Sequence, residues 1–185
     1  GFYASPNAKD QYEETEASIV GISSAFTKND FIFKPKLYWT RGQDMYEFVR
    51  GKPEIYRNHH ITNKAGAAVD MTYNSKLGIT GIGLDLARVF IASNNLGDHN
   101  RTMFTTFLEQ RFSLAGNKLD ITPGIAFTYY SDFGSQTFPG IDLGYELAKD
   151  LKIYGNLGYT YRIPTYTDLY YSDPTTLGNP DLVPE

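Results

Sequence analysis

A chain of 185 residues, 41% hydrophobic and 21% charged, is long enough for one domain with a core of its own. Its net charge of −4, with no basic patch, argues against nucleic acid as a partner, and the absence of cysteine removes a disulfide framework and any Cys-based metal site. No apolar run approaches the roughly 18 residues of a membrane helix, but a barrel strand shows lipid only every second side chain and is not excluded. The mixture of 15 Tyr and 12 Phe with 17 Gly is usual in β-barrels, where aromatics sit at interfaces and glycine relieves crowding. Gly1-Phe2-Tyr3-Ala4 lacks the basic-then-apolar pattern of a signal peptide, and Pro184-Glu185 follows turn-rich sequence directly. Both ends read as cuts, and the chain as a fragment.

Taken in chain order, strands are expected at about 13–26, 31–41, 61–73, 78–91 and 102–114. The sixth sets Leu119, Ile121, Ile125, Phe127 and Tyr129 against Asp120, Thr122, Gly124, Ala126 and Thr128. The seventh sets Ile141, Leu143, Tyr145 and Leu147 against Asp142, Gly144, Glu146 and Ala148. The eighth opposes Leu151, Ile153, Gly155, Leu157, Tyr159 and Tyr161 to Lys152, Tyr154, Asn156, Gly158, Thr160 and Arg162. This is the period-two pattern of strands, with almost no helical periodicity. Pro35 and Pro123 each delete a ladder donor, so a bulge or an edge is expected there.

The connections alternate: short at 27–30, 74–77, 115–118 and 148–150, long at 42–60, 92–101, 131–138 and from 163 onward. Directly opposed residues of an antiparallel pair share a face. Pairing Leu147 with Leu151, Leu114 with Leu119 and Phe26 with Phe31 therefore keeps each apolar set together. The expectation is an antiparallel up-and-down meander of about eight strands. Lys28, Lys76, Asn117 and Lys149 fall at one end, and His60, Asn95, Phe133 and Asp168 at the other. It either curls into a small closed barrel or stays open and pairs with another copy; closure would crowd its charged face.

A water-soluble sandwich alternates too. Two features favour a membrane wall. The expected strands reach the ~9–11 residues needed to cross a bilayer. Aromatics also gather at both ends: Phe26, Phe31, Tyr73 and Phe112 by the short turns, Trp39, Phe90, Tyr129 and Tyr161 by the long loops. Thr62, Lys64, Asp70, Glu109, Arg111, Asp120, Glu146, Lys152 and Arg162 alternate with apolar neighbours, so they face a lumen. Lys or Arg facing lipid at mid-depth costs about 2–4 kcal/mol. So many inward charges point to a wide parent barrel.

Little in the chain suggests chemistry. His59, His60 and His99 fall in expected loops and read as solvated, as do Asp98, Asp168 and Asp173, which lack the spacing of a calcium loop. There is no nucleophile elbow, phosphate loop or other catalytic constellation, and no cofactor is expected.

The C-terminal third carries a motif. Tyr161-Arg162-Ile163-Pro164-Thr165-Tyr166-Thr167-Asp168-Leu169-Tyr170-Tyr171, followed by Gly178-Asn179-Pro180-Asp181-Leu182-Val183-Pro184-Glu185, resembles the barrel signature of TonB-dependent outer-membrane receptors. Asn95–Arg101 and Phe138–Asp142 are similar to segments of the cobalamin-receptor-like branch found in Bacteroidetes-type bacteria. The resemblance implies that residues 1–185 are part of a 22-stranded transmembrane barrel, without its plug domain and remaining strands. It implies a bacterial outer-membrane protein set in lipid, whose external loops bind a scarce nutrient such as a corrinoid or ferric siderophore. TonB acts on such a receptor through the plug. The alternative is a passive porin or a structural barrel. Family barrels hold plug arginines with lumen carboxylates, which makes Glu109 and Glu146 candidates to face the plug. Tyr166, Asp168, Tyr170 and Tyr171 open an external loop and are candidates for ligand contact, since tyrosine offers broad apolar area and a hydroxyl at low entropic cost. The tyrosines suit an outer aromatic girdle equally well.

Overall fold

The computed structural model describes residues 9–185; Gly1–Ala4, read above as a cut end, lie outside them. The strands are β1 (Tyr12–Ser23), β2 (Phe26–Lys28), β3 (Phe31–Glu47), β4 (Arg57–Ser75), β5 (Gly78–Ser93), β6 (His99–Leu114), β7 (Leu119–Tyr130), β8 (Gly134–Ala148) and β9 (Leu151–Gly158). They form one antiparallel sheet in the order β1-β3-β4-β5-β6-β7-β8-β9, with β2 continuing β1 along β3. The expected meander is present. The sheet is open, with β1 and β9 at its edges.

Nine strands replace the eight expected because Pro35 splits the first. Ser24 donates to the Pro35 carbonyl at 3.1 Å, and an antiparallel pair of this kind exchanges two bonds. Pro35 has no N–H to return, so the ladder stops at Ser23–Lys36 and resumes at Phe26–Phe33 in the same register. Pro123 does the same against β6, where pairing skips from Glu109–Gly124 to Phe112–Ile121. Neither proline makes the bulge or edge expected of it. Both open a gap in register. The register shift lies elsewhere, between Glu146 and Ala148.

That shift corrects one hairpin, since Ala148, not Leu147, pairs with Leu151. Phe26 pairs with Phe33 rather than Phe31, which leaves a two-residue turn with Asn29 at φ 51°. Leu114 pairs with Leu119 as expected. At the other end the strands run further than the pattern shows. The expected 42–60 loop shrinks to 48–56, and 131–138 to the turn 131–133. His59, His60 and His99 consequently lie in β4 and β6, none of them exposed.

Parity holds across the sheet. On β5, Leu86 is 55% exposed on the apolar face while its neighbour Ala87, on the polar face, is 3% exposed. Phe31 sits directly opposite Tyr73 on the apolar face, near the short turns. No large side chain among the described residues is fully buried, so the sheet has no core of its own and presents its apolar face outward. The polar face is linked by side chains. Tyr38 lies on Gly66, where a Cβ would collide with its ring, and donates to Asp85 at 2.9 Å. Asp120 accepts from Arg111 at 2.9 Å, Lys152 at 2.8 Å and Ser113 at 2.8 Å, and Lys36 pairs with Asp70 at 3.2 Å. Exposed ion pairs contribute little stability, so these fix position more than they hold the sheet.

Candidate functional site

The ladder ends at Gly158, and the chain turns onto the polar face at the long-loop end. Tyr161, expected in the outer girdle, instead meets the polar-face residue Phe138 edge to face, with ring centroids 6.1 Å apart. The rest of the chain forms a strap. Arg162 and Glu185 exchange backbone hydrogen bonds of 2.8 and 3.1 Å, which brings residue 185 back beside the start of the strap.

Within the strap lies a helix, α1 (Tyr166–Tyr170), that strand and loop patterning did not reveal. Its signal was present as Thr165-x-x-Asp168, a capping box. Thr165 Oγ1 accepts from the Asp168 amide at 3.1 Å, and Asp168 accepts from the Thr165 amide at 2.9 Å. Arg162 also donates to Asp168 at 3.1 Å. The Thr165 amide, helped by its hydroxyl, holds the Asp168 carboxyl below its usual range. The motif's Gly178 has an equally local reason. A Cβ there would fall 2.8 Å from the backbone of Leu169 and Tyr170, and its amide donates to the Tyr171 carbonyl at 2.7 Å. The Asn179 amide closes on the Asp168 carbonyl at 2.9 Å.

Four contacts seat the strap on the sheet. Arg101 of β6, 7% exposed, donates to Asp132 at 2.7 Å and to the Pro164 carbonyl at 3.3 Å. Its guanidinium also lies 4.9 Å from the centre of the Tyr166 ring. His99 stacks on Tyr170 at 3.9 Å with planes 7° apart, while its Nε2 meets the Leu96 carbonyl at 2.7 Å. Asn95 exchanges two hydrogen bonds with the Ser172 backbone, at 2.7 and 3.2 Å. Tyr171 and Tyr56 share a hydroxyl contact of 3.4 Å. That contact, then burial, pushes the Tyr171 phenol well above its ordinary value. Burial also raises the Tyr166 phenol, whose hydroxyl is enclosed without a hydrogen-bond partner. His99 is thus a stacking residue rather than a solvated one.

Between the strap and the ends of β1, β3 and β4 lies a cavity of about 780 Å³. Tyr171, Tyr56, Tyr46 and Phe48 contribute aromatic walls, and Asp44, His60 and Asp173 contribute polar groups. Of the four candidate contact residues, Tyr171 lines this cavity; Tyr166 and Tyr170 build the stack on β6, and Asp168 caps the helix. Sequence reasoning did not single out Arg101, Tyr56 or Asp44. Arg101 closes the Asn95–Arg101 segment, but no spacing reveals its role or those of Tyr56 and Asp44, because these arise from contacts distant in sequence.

Glu109 and Glu146 both stand on the polar face. Glu109 lies in a cross-strand row that reads Gly81, Glu109, Gly124, Gly140, Gly158. It lines a groove of about 440 Å³ over that glycine floor. A Cβ on Gly124 or Gly140 would meet nothing closer than 3.5 Å, so the sheet itself does not require the groove to be empty. Glu146 lies beside the short-turn end, paired in register with Lys152.

Residues 3–185 match the family described as TonB dependent receptor-like, beta-barrel. Among solved structures, the siderophore receptor PirA from Pseudomonas aeruginosa aligns over 93% of this chain and 34% of its own, with TM-score 0.77 and 11% identity. PirA from Acinetobacter baumannii aligns over 95% of this chain and 31% of its own, with TM-score 0.68 and 12% identity. The chain therefore spans about a third of the length of these receptors, and likeness at such identity concerns the fold. No curated protein matches by sequence. With a family match over almost every residue and an open meander of matching fold, the chain belongs to the TonB-dependent receptor-like β-barrel family.

Proposed function

We propose that this chain is wall and loop-end strap of a bacterial outer-membrane receptor that binds a scarce nutrient outside and admits it under TonB drive. The observation that carries the reading is the cavity of about 780 Å³ at the long-loop end of the polar face, roofed by the strap. That volume lies within the roughly 300–1,000 Å³ usual for small-molecule sites. Its tyrosines offer ring faces and hydroxyls to a large chelate or corrinoid. The cobalamin-like segments Asn95–Arg101 and Phe138–Asp142 favour a corrinoid; the two structural relatives, being siderophore receptors, bring ferric chelates into the same panel. Tyr171 acts at the ligand, and Tyr166, Tyr170 and Asp168 act by holding the strap in place.

Uptake of cobalamin and of ferric chelates by cells carrying the full-length receptor tests this, with and without a collapsed proton gradient. Energised uptake is expected. Tyr171→Ala should weaken binding by about 1–3 kcal/mol, the range of truncated hot-spot aromatics, and Tyr170→Ala, which removes the stack on His99, should weaken it less, through the strap. Uptake indifferent to the gradient and to both substitutions would leave a passive barrel.

In the same reading, Glu109 and Glu146 face the plug. Glu109 is the better supported, as the one side chain on a row otherwise made of glycine from β5 to β9. Glu109→Lys should loosen the plug and lower uptake while the barrel still assembles. Unchanged plug retention would reduce Glu109 to a solvated carboxylate.

A further inference from the structure

Among the described residues, the cavity beneath the strap is lined by three carboxylates, Glu13, Asp44 and Asp173, and by no lysine or arginine. Two cations at the strap are engaged elsewhere: Arg101 of β6 with Asp132 and Pro164, and Arg162 with Asp168 and Glu185. One carboxylate is incompletely satisfied. Asp44 Oδ1 is buried with no hydrogen-bond partner. A buried acceptor of that kind is costly until a donor reaches it, and more so when charged. Carboxylates in a walled cavity also repel an anion, since low-dielectric surroundings strengthen the interaction.

The receptor reading above leaves the ligand's charge open. Resting on that reading, we infer that the molecule taken into this cavity presents a cation or a strong hydrogen-bond donor on an apolar or ring-bearing body, and is not an anionic chelate. An ammonium gains charge-assisted hydrogen bonds from Asp44 and Glu13. It also gains cation–π contact with the faces of Tyr56 and Tyr171. The apolar remainder of the molecule lies against Phe48 and Ile55, which line the same cavity.

Three probes of similar size separate the cases on the full-length receptor in outer-membrane vesicles. They are a ferric trihydroxamate bearing a free ammonium, the same chelate with that amine acetylated, and a trianionic ferric tris-catecholate. The ammonium form is expected to bind tightest and its acetylated twin roughly tenfold weaker, the scale of one charge-assisted contact. The tris-catecholate should not bind. Asp44→Asn and Glu13→Gln, each close in shape to the native side chain, should bring the first two probes within about twofold of each other. Equal binding of those two by the native receptor overturns the inference, as does a preference for the tris-catecholate or no binding by any probe. The energised-uptake assay reports separately on whether the barrel is a receptor at all.

Discussion

From β3 to β8 each strand pairs only with those before and after it, whereas residues 159–185 reach the 48–56 loop, the 94–98 loop, β6 and β8. In the wall, a residue's surroundings follow from whether its number is odd or even within its strand. In the strap they follow from individual partners: Arg101 for Tyr166, His99 for Tyr170, Tyr56 for Tyr171. A wall of this kind tolerates exchange of one apolar residue for another and fails on a breach of parity. A strap of this kind fails one contact at a time.

The largest effect should come from breaking parity. Leu86→Arg places a charge on the apolar face at the middle of β5 and should cost about 2–4 kcal/mol of barrel stability, read from urea unfolding of the full-length barrel in vesicles. A cost near zero would mean that this face does not meet lipid. Next comes Arg101→Ala. It removes the Asp132 and Pro164 bonds together and should loosen the strap by about 2 kcal/mol. Hydrogen exchange should show strap amides losing protection while strand amides keep theirs; loss in both regions would deny the two-part description.

A gain is expected from Pro35→Val, which returns an N–H to the Ser24 carbonyl and joins β1 to β2. Barrel stability should rise by about 1 kcal/mol, with a protected amide at position 35. The smallest effect concerns pH. Because the Asp168 carboxyl is held below its usual range, its contribution to the strap is complete above the unfolded value near 4 and is lost as pH falls through the depressed one. Strap protection should therefore be flat from pH 5 to 8 and fall below about 4, with Asp168→Asn removing part of the fall and Asp173, held low by Thr175, carrying the rest. A fall at higher pH would place the titrating group elsewhere.

What could be read from the sequence divides along the same line. Alternation in Leu119–Tyr129 and Leu151–Leu157 located strands, faces and ends, because an apolar side and a polar side leave each residue two choices. Turn lengths were less legible. Phe26 opposite Phe31 and Phe26 opposite Phe33 obey the same parity, so patterning cannot choose between them. The extra residue at Leu147 likewise leaves no trace in the apolar count. The long-loop ends of β3, β4 and β8 carry no alternating apolar face, which is why these strands exceed their expected lengths. Of the strap, the capping residues Thr165 and Asp168 were legible in principle, being local. The stack of His99 with Tyr170 and the burial of Arg101 were not, since each depends on a partner more than sixty residues away.

The paired backbone of Arg162 and Glu185 gives the strap one further property. A segment closed by a backbone pair between residues 162 and 185 is a cassette. Lengthening its interior changes closure entropy only slowly, each doubling costing about 0.6 kcal/mol, and leaves the register of β9 untouched. Residues 174–176 could thus be exchanged, as hypervariable segments are on other rigid scaffolds, while Ser172 keeps its place on Asn95. Such a segment can change what it contributes to the cavity without altering the pairing of the wall.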